Sequence, residues 1–172
     1  MGVFGMMRQT GKGPYRHQTA LWKGALAVAL GDLVYKDGSD HYDKSAASYP
    51  WDTNLATTQA SFKDVFRGVS TVRRTTLQTA DGTDATDGPI LASGEFTFPC
   101  DALGAAAYVA YNSYVTIAKA SGNALDPAKV VLTTDITIAI GKLTRDAALG
   151  ATELTFELLP ATGPQGAAPA NA

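Results

Sequence analysis

Two stretches carry carboxylates at spacings that oxygen-ligated chemistry uses. KDGSDHYDKS holds Asp37, Asp40 and Asp43, and TADGTDATDG holds Asp81, Asp84 and Asp87. Acids this close along a chain can ligate Ca2+ through oxygen. Neither run follows the EF-hand order of a mid-loop Gly and a closing Glu, and Asp, Gly and Ser are equally the residues of tight turns between strands. Turn chemistry is the favoured reading of both runs, and no metal or cofactor is expected. A carboxylate pair for glycoside hydrolysis would have to come from the same acids, but no spacing singles one out.

Nucleophilic catalysis needs a nucleophile, a base and an orienting group within mutual reach. The only histidines are His17, in an N-terminal segment, and His41, in an apparent loop tip, and both read as solvated. Cys100, directly after Pro99, reads as a small buried side chain. The glycines of GVFG and GKG lack the order of a phosphate-binding loop and follow no strand. Arg67, Arg73 and Arg74 flank one strand, where a solvated face is favoured over an anion site. No catalytic residue is nominated, and the chain is expected not to be an enzyme.

At 172 residues the chain suffices for one domain with a real core. Its charged fraction is 17% and its formal net charge -2. Lys and Arg form no block, so nucleic acid is not an expected partner. The single cysteine allows no internal disulfide. No apolar run is long enough to span a bilayer, and MGVFGMMRQTGK lacks the sustained apolar segment of a secretory signal. A chain made in the cytoplasm, with no membrane partner, is therefore expected.

The elements that would hold these residues follow mostly a period of two. TELTFEL alternates Leu154, Phe156 and Leu158 against Glu153, Thr155 and Glu157, as a half-buried strand does. DITIAI predicts a strand with Ile136, Ile138 and Ile140 inward and Gly141 ending it. SGEFTFPCD predicts one with Phe96 and Phe98 inward, which Pro99 confines to an edge or stops. YVAYNSYVTI reads as a strand sharing Val109, Tyr111, Val115 and Ile117, or as a hairpin turned at Asn112-Ser113. Shorter strands are expected at 32–35, 66–71 and 129–134. ALWKGALAVAL, residues 20–30, could be helical, but Gly24 interrupts it and Gly31-Asp32 ends it, and it is read as strand. TNLATTQASFKDVF is the one predicted helix, capped by Thr53 or Asn54, with Leu55, Ala56, Gln59, Phe62 and Val65 on one stripe. Regularly spaced short strands imply a sandwich or barrel.

Residues 1–23 mix glycines with large apolar and basic side chains without a period, and read as an extended N-terminal arm. Residues 160–172, PATGPQGAAPANA, carry no charge and no large side chain, and read as a flexible C-terminal tail. The expected fold is thus mainly β, a compact β-sandwich or β-barrel over residues 24–159 with one short helix.

The order of the pieces over residues 24–159 resembles the small capsid decoration, or cement, proteins of tailed bacteriophages. The residues carrying the likeness are the Gly-Asp-Leu-Val-Tyr step at 31–35, Phe66, Gly68 and Val69, the apolar strand opened by Gly94, and Ala139 to Gly141 ahead of a last alternating strand. The resemblance implies a β module on the outer surface of a virion, commonly a homotrimer, whose partner is the major capsid protein and which steadies the expanded shell. On that reading Phe4, Met7, Arg8, Tyr15, Arg16 and Trp22 are the expected contacts to shell or sister subunit, since aromatic and Arg side chains dominate hot spots. Deletion of residues 1–22 is then expected to leave the fold intact. The alternatives are a carbohydrate- or receptor-binding β module of a virion, with Trp22, Trp51, Tyr49, Tyr42 and Tyr35 as a stacking platform; a β-fold enzyme using the acidic loops; and a tail or head-completion structural protein.

Overall fold

The computed structural model describes residues 8–9, 15–24, 26–73, 85–104 and 112–160, residues 8–9 and 85–88 through their backbone alone. The described elements are β1 (Arg8–Gln9), β2 (His17–Trp22), β3 (Leu33–Lys36), β4 (Asp43–Ser45), a one-turn 3-10 helix (Ala46–Ser48), α1 (Leu55–Val65), β5 (Phe66–Ser70), β6 (Ala85–Leu91), β7 (Glu95–Pro99), β8 (Tyr114–Lys119), β9 (Leu125–Thr133), β10 (Gly141–Leu143) and β11 (Glu153–Leu158). They make a six-stranded sheet ordered β1-β7-β11-β10-β8-β9 and a closed barrel ordered β2-β4-β3-β5-β6. The fold is mainly β, as the spacing of short alternating segments predicts.

Most of the core lies in one apolar cluster that joins the open sheet, the helix and the outer side of β3. It includes Tyr35, Phe62, Phe66, Phe96, Val115, Ile117 and Phe156. A smaller cluster of Ala20, Trp22, Val28, Val34 and Ile90 fills the barrel. This division explains why Leu33, Val34 and Tyr35 are all buried in sequence. Successive side chains of a strand point to opposite faces, and both faces of β3 are covered.

The helix starts where its cap predicts, with Asn54 Oδ1 accepting from Thr57 N at 3.0 Å. Phe62 and Gln59 are buried as the stripe requires, but Thr58 joins them and Ala56 is exposed. Gln59 Nε2 donates to Ile117 O at 2.7 Å. β10 pairs only with Tyr114 and Val115 of β8, so this side chain serves the β8 edge beyond the end of the neighbouring strand.

Three expectations need correction. The supposed arm of residues 1–23 ends in a barrel strand, because β2 pairs antiparallel with β6 from His17↔Leu91 to Trp22↔Ala85. Deleting residues 1–22 would therefore open the barrel. DITIAI is not a strand: Ile136 is 53% exposed, and Asp135 Oδ1 accepts from Thr137 N at 2.8 Å and Oγ1 at 2.6 Å. Local side-chain bonds of this kind offer the backbone a turn in place of a ladder. Gly141 opens β10 rather than ending a strand, and a Cβ there would stand 2.3 Å from the Phe156 ring. The described residues of the run 20–30 are strand only over Ala20 to Trp22, in β2. Its last residues before Gly31 form a loop that buries Val28, held by Ala29 N and Ser45 Oγ donating to Asp32 Oδ2 at 3.0 and 2.6 Å.

Candidate functional site

The acidic run at 37–43 is a hairpin between β3 and β4, as turn chemistry predicts. Its cation is its own: Lys44 Nζ lies 2.6 Å from Asp37 Oδ2 and 2.9 Å from Asp40 Oδ2. Those bonds hold both carboxyls below their usual range. Asp37 and Asp40 also accept from Ser39 N and Tyr42 N at 2.7 and 3.1 Å, which pins the turn. Among the described residues no group of three or more His, Cys, Asp or Glu is placed to hold a metal ion. Asp81 and Asp84 lie outside the described residues, and of Asp87 only the backbone is described, in β6.

Asp43 has a different role. It is 1% exposed, and its Oδ2 accepts from Leu21 N at 2.7 Å where β2 and β4 meet. Those strands run parallel and share only the register pair Trp22↔Asp43, so a carboxylate does the work of a longer backbone ladder. Arg67 Nε stands 3.2 Å from Asp43 Oδ1. It is misaligned for a hydrogen bond there, leaving attraction of charges as the main tie. Arg67 Nη2 donates to Thr19 O at 3.4 Å. Burial pushes the Asp43 carboxyl up despite the guanidinium. The expected solvated strand face at Arg67 is therefore a barrel-closing ion pair, which the sequence conceals by placing its members 24 residues apart.

The expected contact residues separate into distinct groups. Phe4 and Met7 lie outside the described residues. Arg8 is described through its backbone, opposite Thr97 on β7. Tyr15 meets Phe96 edge-on at 5.9 Å, donates weakly to Glu95 O at 3.4 Å and lies over Gly94, where a Cβ would stand 2.2 Å from its ring. Gly94 takes φ 123°, open to glycine alone at low cost. Arg16 is exposed, while its N and O bond to Ser93 Oγ and Ala92 N. Trp22 is 0% exposed within the barrel. Its expected role as a contact is corrected, because a side chain that fills the barrel presents no surface to a partner.

The aromatic residues suggested as a stacking platform are also dispersed. Trp22 is in the barrel. Trp51 carries Lys119 Nζ at 5.1 Å, and Tyr42 carries Lys23 Nζ at 4.7 Å. Only Tyr35 and Tyr49 meet, edge to face at 4.8 Å, beside an open cavity of about 130 Å³ that Pro50 and Val65 also line. Cys100 is buried as expected and burial pushes its thiol up, which suppresses the thiolate a nucleophile needs. His41 sits at the hairpin tip with φ 63°, its N donating to Asp37 O at 2.9 Å, and His17 is exposed on β2. No family model matches the chain, and no curated protein matches it.

Proposed function

We propose that the chain is a non-enzymatic structural protein of a virion, which binds the outer surface of a phage head and cements neighbouring major capsid subunits. The observation that supports this most is where the residues of the resemblance fall. Leu33 to Tyr35 and Phe66 to Val69 lie on neighbouring strands, with Leu33↔Val69 and Val34↔Gly68 in register. Gly141 pairs with Leu158 on the last alternating strand, and β7, just after Gly94, is the other neighbour of that strand. Residues scattered over 24–159 thus specify one β body, of a kind that binds without losing much internal freedom.

A protein that binds only the expanded shell stabilises that state by about 2.7 kcal/mol per site at a hundredfold excess over Kd. Contacts on this reading come from Phe4, Met7, Arg8, Tyr15 and Arg16, with a homotrimer as the associated state. The test is heat disruption of undecorated heads of the source virus with and without the chain. A rise in disruption temperature that saturates with added chain is the expected result; unchanged disruption at saturating concentrations counts against the proposal. A second reading, a carbohydrate-binding module, draws on the Tyr35 and Tyr49 cavity. Glycan titration of wild type against Tyr49→Ala separates it.

A further inference from the structure

We infer that the outer edge of β9 is a contact between two copies of this chain, made by antiparallel pairing of Val130-Val131-Leu132 with itself about a two-fold axis. β9 is the last strand of the open sheet. Edge strands are usually blunted by short length, Pro, Lys or bulges. At the opposite edge β1 has two residues. In β9 the protection stops halfway: Pro127, Lys129 and a bulge in the pairing with β8 precede Val130. Lys119, opposite Leu125, lies over Trp51, so the chain that follows the 3-10 helix passes the same protected end.

The register makes the exposed half self-complementary. Ile140 N donates to Val115 O, and Gln59 Nε2 to Ile117 O, both on the side of β8 away from β9. Val115 and Ile117 stand opposite Leu132 and Val130. Those are therefore the pairs not bonded across β8 and β9, and the peptide groups of Leu132 and Val130 point out of the sheet. No described residue bonds to them there. Two copies related by a two-fold axis at Val131 would pair Val130 of each with Leu132 of the other. Val131, 40% exposed, would face its own symmetry mate, burying two apolar side chains against each other. Lys129 would face Thr133 of the second copy, with Asp135 the next acidic position beyond it, so the pairing sets opposite rather than like charges near one another. This contact does not rest on the virion reading and is a different surface from the N-terminal contacts.

The test uses the full-length chain carrying Val131→Cys, with Thr133→Cys as control. Facing positions in such a pair have Cβ atoms about 4.5–5.5 Å apart, near enough for a disulfide with slight adjustment. Mild oxidation should link Val131→Cys into dimers and leave Thr133→Cys single. Val131→Lys should weaken association by roughly tenfold or more, since like charges would meet at the axis. Light scattering on the unmodified chain should give two copies, or six where the proposed homotrimer also forms. Equal linking of both cysteine variants, no linking of Val131→Cys, or a trimer that Val131→Lys leaves intact would each overturn the inference.

Discussion

Replacing Arg67 by Met should destabilise the protein more at neutral than at acid pH. The guanidinium is the near cation of Asp43, 3.2 Å away, and both side chains are buried. Removing one member of a buried pair typically costs about 3–5 kcal/mol, because the other charge stays in a poor solvent. That is a large part of the roughly 5–15 kcal/mol that holds a domain folded. At a slope of about 2 kcal/mol per molar urea, the unfolding midpoint would fall by roughly 2 M. The pH dependence follows from the raised pKa of Asp43. A carboxyl with a higher pKa folded than unfolded binds more protons when folded, so its contribution is most favourable below the unfolded value of about 3.9 and declines as pH rises through the folded value. Loss of Arg67 raises the folded value further and widens that window. Equilibrium urea unfolding of wild type and Arg67→Met between pH 4.5 and 8 measures both effects. A deficit under about 1 kcal/mol, or one that does not shrink towards acid, would refute the reasoning.

Gly94→Ala should cost about 1–3 kcal/mol through its φ of 123° and displacement of the Tyr15 ring; thermal unfolding reads this, and a neutral effect would show that Tyr15 is not held there. Gln59→Leu should cost about 1–3 kcal/mol by leaving the Ile117 carbonyl without its side-chain donor, against a smaller loss for Gln59→Glu at a pH where its carboxyl is protonated. Lys44→Met should cost about 1 kcal/mol at pH 7. Asp37 and Asp40 have lowered pKa values when folded, so their contribution is present above the unfolded value and lost as pH falls through the folded one. The gap to wild type should close as pH falls below the unfolded value of about 3.9. Chains lacking residues 1–14 should retain the far-ultraviolet signal of the β fold, whereas loss of residues 1–22 should abolish cooperative unfolding.

The alternating strands at 95–99 and 153–158, and the Asn54-capped helix, were legible because one face of each is apolar and the other polar. β2 was not, since its inward set begins with Gln18 and its outward set includes Leu21. β4, Asp-Lys-Ser, contains no apolar residue at all; it is held as a strand from distant parts of the chain, by the hydrogen bonds of Leu21 N to Asp43 and of Ser45 Oγ to Asp32 and by the charge of Arg67 beside Asp43. DITIAI shows the converse, a period of two overridden by the Asp135 turn. Side-chain type, on which the expected contacts rest, is the same for an interface Trp and for one that fills a barrel, as Trp22 does.

The most direct test of the cement proposal is co-sedimentation of the purified chain with expanded, undecorated heads of the source virus, with unexpanded shells as control. Saturable binding to expanded heads alone is the predicted result. Absence of binding to expanded heads would contradict the proposal, and equal binding to both shells would contradict its selectivity for the expanded state.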